Sequence, residues 1–298
     1  MGLELYENFP EAKELFERAN SYLGRRITDV MFYGSEDALM ETINTQPSVF
    51  LYEVVTALTQ KVIVPDVVAG HSLGEFAALV VSGCISFEDG LNLVQNRAVI
   101  GQKVCEKNKT MMGAVIGLPD DYVTRRINEI WKETGAPIYL ANYNGPGQVV
   151  ISGSKIGVRT ALKAFMQEGA VKAVPLLIHG SFHTPYMAGA EEELGEIILN
   201  SEFRVPKCPI YQCVDGEVHS DPREIQNNLI VHITHGVQWA SIVRNMVRDG
   251  ITDFYEVGTD DTLQKIVRRM YPEKHITTIW EIPVYNKYNF LMNNYGYK

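Results

Sequence analysis

Apolar residues recur at intervals of three and four along several stretches of the chain, which predicts amphipathic helices. In the first third, this spacing covers residues 10–23 and a second helix that begins at Pro47. Two further helices lie on either side of Gly83, and the later one opens at Ser86 and reaches about Val104. The N-terminal third is therefore predicted to be mainly helical.

The pattern changes between residues 109 and 178, where short alternating segments flank two amphipathic ones. The turn residues 144–147 (Asn-Gly-Pro-Gly) join two of the alternating segments as a hairpin. The predicted strands cover residues 112–116, 138–143, 148–152 and 171–177, and the predicted helices cover residues 120–133 and 155–168. This βαββαβ order predicts a ferredoxin-like subdomain.

The subdomain interrupts a larger α/β body, which resumes with helices near Ala190 and Ser241 and a strand at residues 253–256. We therefore predict an α/β protein. Its core, with a parallel sheet, comprises residues 1–108 and 179–281, and residues 109–178 form the insert. Residues 282–298 are rich in Tyr and Asn, and their pattern predicts no role.

Composition narrows the class of protein. Of 298 residues, 46% are hydrophobic, and the net charge of −9 argues against bulk binding of nucleic acid. The longest apolar run, residues 76–81, is too short to cross a membrane, and no signal peptide opens the chain. The four cysteines show no metal-ligand spacing and are expected to be reduced in a cytoplasmic protein: Cys84, Cys105, Cys208 and Cys213.

A candidate nucleophile lies between a predicted strand at residues 66–69 and the helix that follows. Residues 70–74 read Gly-His-Ser-Leu-Gly and fit the G-x-S-x-G pattern in the strand-to-helix context that the pattern requires. Such a turn exposes the hydroxyl of Ser72, and its two glycines allow a close approach that a Cβ would prevent. The N–H of Leu73, at the helix N-terminus, is the expected first donor to an oxyanion.

Other interpretations of these residues stay open. Ser72 and Glu75 also fit the S-x-x-E capping box, which requires no chemistry. A serine nucleophile needs a base, usually histidine, and the residues alone favour none of the seven. They are His71, His179, His183, His219, His232, His235 and His275.

Arg97 lies within the apolar stripe of the helix that opens at Ser86. A buried guanidinium must be paired, and its planar fork suits a carboxylate. That carboxylate belongs either to a bound ligand or to an internal Asp or Glu, and the sequence leaves both possibilities open.

Several motifs together resemble the malonyl-CoA:acyl-carrier-protein transacylase family, in the same order and over about residues 3–270. They are Gly-His-Ser-Leu-Gly-Glu at 70–75, Thr-Gln-Pro at 45–47, Asn-Arg-Ala at 96–98, the segment Asn-Tyr-Asn-Gly-Pro-Gly-Gln at 142–148 with Val-Val-Ile-Ser-Gly after it, Phe-His-Thr-Pro-Tyr-Met at 182–187, Val-Gln-Trp at 237–239 and Glu-Val-Gly at 256–258.

The resemblance implies an α/β-hydrolase-like core with the ferredoxin-like insert. It implies that His183 is the base and is held by a main-chain carbonyl, and that Arg97 binds the free carboxylate of malonyl. The other positions it places in the substrate site are Gln46, His71, Asn144, Gln148 and Phe182, and Phe182 favours malonyl over branched acyl groups.

The activity implied is transfer of malonyl from malonyl-CoA to the phosphopantetheine thiol of acyl-carrier protein, through an ester on Ser72. It needs no metal or cofactor, and we expect a cytoplasmic monomer that binds neither nucleic acid nor membrane. Alternatives are a trans-acting polyketide acyltransferase, an acyl hydrolase, or an impaired homologue that only binds carrier protein. Two arginine pairs are candidates for docking an acidic carrier, Arg125-Arg126 and Arg268-Arg269.

The chain departs from the family pattern in four places, the smallest of which is Ala98 in place of a glycine after Arg97. A Gly-Gln-Gly-Ser-Gln segment, which supplies the second oxyanion N–H in the family, is expected before Met1, and we expect the given chain to be truncated there. Thr259, Asp260 and Asp261 replace the family's Pro-Gly-Lys after Gly258, and His235-Gly236 replaces a residue followed by proline. We expect the two carboxylates after Gly258 to raise the pKa of His183 or to disturb its placement.

Overall fold

The computed structural model describes residues 1–60, 63–176 and 180–278. Five helices come first in the chain, and helices and strands are mixed after them. The helices are α1 (Leu3–Asn8), α2 (Pro10–Leu23), α3 (Ile27–Tyr33), α4 (Glu36–Met40), α5 (Thr42–Thr59), α6 (Gly74–Val81), α7 (Phe87–Lys107), α8 (Asp120–Thr134), α9 (Lys155–Gln167), α10 (Ala188–Leu199), α11 (Pro222–Val231), α12 (Trp239–Arg248) and α13 (Thr262–Met270). The strands are β1 (Val68–Ala69), β2 (Thr110–Ile116), β3 (Ile138–Gly145), β4 (Gln148–Ser154), β5 (Lys172–Pro175), β6 (Ile210–Tyr211), β7 (Val218–His219), β8 (Asp253–Glu256) and β9 (His275–Thr278). The segment 282–298 lies outside the described residues.

The ends of the long N-terminal helices follow from their capping residues. Helix α2 begins with Pro10, which has no N–H to leave unpaired, and ends at Gly24, whose φ of 62° is left-handed. Helix α7 is capped by the hydroxyl of Ser86, which accepts from the N–H of Asp89 at 3.0 Å. The helix predictions for these two segments are confirmed.

The predicted start of α5 at Pro47 is wrong, because the helix begins five residues earlier and Pro47 lies inside it. A proline within a helix leaves the carbonyl four residues before it without its usual donor. Here that carbonyl belongs to Ile43, and it accepts from Nη2 of Arg25 at 2.9 Å. The arginine thus satisfies the group that the proline leaves free, and the helix continues.

Residues 110–175 build the predicted ferredoxin-like unit. Its four strands are antiparallel in the order β3-β4-β2-β5, and the two-residue loop Pro146-Gly147 joins β3 to β4. Helices α8 and α9 pack on this sheet over a separate apolar cluster that includes Val123, Ile151 and Phe165. The βαββαβ prediction is confirmed, and the boundaries at 109 and 178 stay a prediction.

The parallel strands of the α/β core are short. Strand β1 pairs with β6 in parallel, and β8 pairs with β9 in parallel. The core is joined to the insert beside β3, where Val237 N donates to Ala141 O and Tyr143 N donates to Val237 O, both at 2.8 Å. This connection brings the segment before α12 against the edge of the inserted sheet.

Membrane insertion by a helix finds no support in the described part of the chain. None of its helices combines the length and the apolar character that crossing a bilayer requires.

Candidate active site

A strained turn presents Ser72 between β1 and α6. Its φ is 53°, a left-handed value that is uncommon for a residue with a side chain. We call residues 70–74 the elbow. A Cβ at Gly70 would lie 2.0 Å from the carbonyl carbon of Gly74, so only glycine fits there. The same prediction for Gly74 is wrong, because a Cβ there would meet only Glu53 Oε2, at an ordinary 3.7 Å.

Substitution of the two elbow glycines should therefore change stability to very different extents. We expect Gly70→Ala to lower the free energy of unfolding by about 3 kcal/mol or more, because main-chain atoms have to move apart. Gly74→Ala, within a helix, should change it by less than about 1 kcal/mol in either direction. Urea unfolding of the two variants measures both, and equal losses would contradict the assignment.

His183 provides the partner of Ser72. Its Nε2 lies 2.6 Å from Ser72 Oγ, although 111 positions separate the two residues. On the other side of the ring, Nδ1 lies 3.1 Å from the carbonyl oxygens of both His232 and His235. Carbonyls only accept, so the proton of the neutral ring is on Nδ1 and Nε2 is free to accept the serine proton.

Burial and a nearby cation keep the His183 ring neutral. The side chain is 3% exposed, and loss of solvation, followed by the charge of Arg97, lowers the pKa of His183 to about 3. The expectation that carboxylates after Gly258 raise this pKa or displace the ring is wrong. Burial, and after it the charge of Asp260, raises the pKa values of Glu53 and Glu256 instead. The carbonyls that hold His183 come from residues 232 and 235.

Arg97 is buried beside Ser72, and part of its guanidinium makes no hydrogen bond within the described residues. Nη1 donates to Gln46 Oε1 at 2.6 Å and Nη2 donates to Ser72 Oγ at 3.2 Å, whereas Nε has no partner among the described residues. The rings of Phe182 and Phe76 lie 5.0 and 5.9 Å from its Cζ. The alternative of an internal ion pair is wrong, because within the described residues no carboxylate bonds this guanidinium.

The capping-box interpretation is also wrong. The Ser72 hydroxyl contacts His183 and Arg97, and α6 has no side-chain cap. The carboxylate of Glu75 points away from the helix end, where it accepts from Cys213 N at 2.8 Å and Gln212 Nε2 at 3.0 Å.

Of the other predicted site residues, some lie near Ser72 and His183 and one lies away from them. His71 Nε2 is 2.8 Å from Asn144 Oδ1, which couples the elbow to β3. The N–H of Leu73 has no acceptor in the described part of the chain and remains available for an oxyanion. Gln148 does not join this group, because its Oε1 accepts from Arg269 Nη1 at 2.7 Å on the exposed side of the insert.

Access to His183 is provided by a cavity of about 470 Å³ between the core and the insert. Its walls come from β3, from the start of α10 and from the segment before α12: Tyr139, Leu140, Pro185, Ala188, Glu191, Thr234, His235 and Gly236. His183 therefore lies at the junction of the two parts of the molecule.

Three buried residues near the elbow were not predicted from the sequence. Glu75, Cys213 and His232 each are 1% exposed and lie directly behind Ser72 and His183. In the sequence, Glu75 is half of the possible capping box and the last residue of the motif at 70–75, and neither Cys213 nor His232 carries a local signal. Only the fold brings these three residues together.

Comparisons with known proteins identify the family of the chain. The malonyl CoA-acyl carrier protein transacylase of Bacillus subtilis (strain 168) is 32% identical over 272 residues, which are 91% of this chain and 86% of that protein. A malonyl CoA-acyl carrier protein transacylase from Coxiella burnetii has a similar structure, with a TM-score of 0.88, 30% identity, and coverage of 94% of this chain and 89% of that one.

A second solved structure contains a partner. It is a malonyl-transacylase in complex with its type II PKS acyl-carrier protein, with a TM-score of 0.89, 28% identity, and coverage of 94% of this chain and 91% of that one. The family model for the acyl transferase domain matches residues 1–289. With a strained serine, a histidine on its hydroxyl and a match of this extent, the chain belongs to the acyl transferase domain family.

Proposed function

We propose that this protein transfers malonyl from malonyl-CoA to the phosphopantetheine thiol of acyl-carrier protein, through an ester on Ser72. The observation that carries the proposal is the placement of Arg97, whose Nη2 is 3.2 Å from Ser72 Oγ and whose Nε is free. In malonyl, only two carbon–carbon bonds connect the reacting carbonyl to the free carboxylate. A guanidinium that binds this carboxylate must therefore lie next to the nucleophile, and its Nε–Nη2 edge suits bidentate binding.

In the first half-reaction, His183 Nε2 takes the proton of Ser72 as Oγ attacks the thioester carbonyl. Negative charge develops on the carbonyl oxygen, where the free N–H of Leu73 is the donor on this chain. The carbon–sulfur bond then breaks, the CoA sulfur takes the proton from His183, and malonyl remains on Ser72 as an ester.

In the second half-reaction, the carrier's thiol gives its proton to His183 and attacks that ester. The bond to Ser72 Oγ breaks, and Oγ recovers its proton from His183. Both half-reactions exchange acyl groups and protons only, so the proposed chemistry requires no cofactor from the protein. Reduced thiols and this substrate pair fit the cytoplasm as its location.

Intact-mass measurement tests the proposal directly. After mixing with malonyl-CoA, we expect the protein to gain one malonyl group, and adding holo acyl-carrier protein should move that group to the carrier. A protein that gains no adduct over long incubation would contradict the proposal. Loss of the adduct to water instead of to the carrier would assign the protein as a hydrolase.

The pKa of His183 predicts an unusual pH profile. Because the pKa of the free enzyme is lowered to about 3, the ring is already neutral at pH 5, and the rate of Ser72 acylation should change less than about twofold between pH 8 and 5. Rapid-quench acylation after a pH jump measures this. An inflection near the ordinary histidine pKa of about 6.5 would contradict it.

Stability should fall over part of the same range. Below the ordinary histidine pKa of about 6.5, His183 is protonated in the unfolded chain, whereas in the folded protein it stays neutral down to about pH 3. The free energy of unfolding therefore decreases as the pH falls from about 6.5. Because acylation is measured shortly after the pH jump, a loss of folded protein at low pH does not affect the measured rate.

Docking of the carrier should use Arg268 and Arg269 rather than the other arginine pair. Arg268 and Arg269 are exposed and donate to neutral acceptors, Ile276 O and Gln148 Oε1. In contrast, Arg125 is paired with Asp121, and Arg126 with Glu168, Glu129 and Glu133. The first pair retains the positive charge that an acidic partner recognises.

Two matched double variants test this surface. We expect Arg268→Gln with Arg269→Gln to raise the KM for acyl-carrier protein about five- to tenfold at low salt and to leave acylation by malonyl-CoA unchanged. The control, Arg125→Gln with Arg126→Gln, should change that KM less than about twofold. Steady-state kinetics with the carrier decide between them, and equal effects would contradict the assignment.

A further inference from the structure

Three buried side chains that the proposed chemistry does not use meet behind the elbow. Glu75, Cys213 and His232 place one carboxylate oxygen, one sulfur and one ring nitrogen within 4.8 Å of one another. Burying polar groups is costly unless they are hydrogen-bonded. The hydrogen bonds of the thiol and the carboxylate show which parts of the main chain they hold.

The thiol of Cys213 contacts the main chain on both sides of His71. Its Sγ lies 3.0 Å from Gly70 O, to which it donates, and the N–H of Ser72 lies close enough to the sulfur to act on its pKa. Because Ser72 has a left-handed φ, these two groups cannot be satisfied by continuing β1 or by starting α6. The thiol lies against both of these groups in the strained turn.

Glu75 fixes the position of that thiol. Its Oε2 accepts from Cys213 N at 2.8 Å, and the carbonyl of Cys213 accepts from Gln238 N at 2.8 Å. Since Glu75 lies in the first turn of α6, the helix that begins at the elbow holds the residue that supports the elbow. The carboxylate and the thiol are thus occupied with main-chain groups rather than free for an ion.

The same carboxylate borders the support of the base. His232 Nε2 is 3.9 Å from Glu75 Oε2, and the carbonyl of His232 is one of the two acceptors for His183 Nδ1. The two imidazole rings are edge to face, with centroids 5.1 Å apart. One cluster therefore adjoins both Ser72 and His183.

We propose that Cys213 is a positioning residue for the nucleophile: its thiol, held by Glu75, fixes the main chain of Ser72 so that Oγ meets His183 and the substrate. The proposal rests on the proposed function of Ser72. Burial and the neighbouring Glu75 raise the pKa of Cys213 well above its ordinary value, so the group stays a neutral thiol that can donate. Displacement of a reacting group by about 1 Å can lower a rate about 100-fold.

The test compares three variants in single-turnover acylation by malonyl-CoA. Cys213→Ala removes both contacts and should lower the acylation rate about 10- to 100-fold with the KM for malonyl-CoA within about twofold. Cys213→Ser keeps a donor and an acceptor and should restore the rate to within about threefold of the original. Cys84→Ala is the matched control, because it removes another buried thiol, 0% exposed, from the apolar core.

Two results would overturn the proposal: an unchanged rate in Cys213→Ala, or a loss in Cys213→Ser as large as in Cys213→Ala. Each rate is divided by the folded fraction, which near-ultraviolet circular dichroism measures. A general loss of stability would lower the folded fraction of Cys84→Ala as well, and is thereby distinguished from an effect on the nucleophile. If Cys213→Ala does not fold, Cys213→Val, which fills the space without a donor, is compared with Cys213→Ser instead. Absence of any adduct on the original protein would refute the proposed function, whereas an adduct with no effect at Cys213 refutes only this inference.

Discussion

Ser72→Ala should lower malonyl transfer by about 10⁴-fold or more and should abolish the malonyl adduct in intact-mass spectra. Removal of a nucleophile that acts as a unit with its base has effects of this size. In this protein the hydroxyl is the only group placed between His183 Nε2, at 2.6 Å, and Arg97 Nη2, at 3.2 Å, in the described part of the chain. Alanine leaves both partners in place with nothing to acylate.

Ser82→Ala is the control for this variant. Ser82 is fully buried just after α6, and its hydroxyl donates to Leu79 O at 3.0 Å, so its replacement also removes a buried hydroxyl. We expect it to cost about 1 kcal/mol of stability and to leave the acylation rate within about twofold. An adduct that persists in Ser72→Ala would place the nucleophile elsewhere.

The elbow could be predicted from the sequence because its determinants are local. Gly70, Ser72 and the start of α6 at Gly74 lie within five consecutive residues. The turn is so tight that a side chain at position 70 would meet the main chain of Gly74. The insert could be predicted for a similar reason, since its strands and helices alternate in order and its hairpin turn is short. Periodicity and turn chemistry report such neighbouring relations.

The proposed base, His183, could not be selected from the residues alone, because the fold brings its partners together. His183 meets Ser72 across 111 positions, and its acceptors are main-chain carbonyls, which every residue type has. The family resemblance named His183, and the geometry now gives the physical reason for that choice. The sequence favoured His232 no less than His183, yet the two ring nitrogens of His232 make no hydrogen bond among the described residues, and its carbonyl is the group that holds His183.

The errors in prediction have the same origin. Pro47 is an ordinary start signal for a helix, but α5 begins earlier, and Arg25 donates to the Ile43 carbonyl that the proline leaves without a donor. Gln148 has the motif position of a substrate-site residue, but its side chain faces Arg269. In each case a long-range contact overrides a local rule, and single-sequence patterns contain no record of such contacts.

The second large effect concerns acyl specificity. Arg97→Ala should lower kcat/KM for malonyl-CoA about 10²- to 10³-fold, because truncating one partner of a buried, hydrogen-bonded charge pair costs about 2–5 kcal/mol and each 1.4 kcal/mol is tenfold. For acetyl-CoA the direction reverses. Acetyl leaves the buried guanidinium unpaired, so we expect its kcat/KM to rise in Arg97→Ala, by about tenfold.

Arg97→Lys separates charge from geometry in the same assay. Lysine keeps a cation in the pocket but lacks the fork that Nε and Nη2 provide, and it cannot hold Gln46 and the ligand as arginine does. It should therefore fall between the original protein and Arg97→Ala in its preference for malonyl over acetyl. Competition between the two thioesters, followed by intact mass, measures that preference in one mixture. If it is unchanged in Arg97→Ala, the guanidinium does not bind the substrate carboxylate, and its contact with Ser72 serves only to hold the hydroxyl.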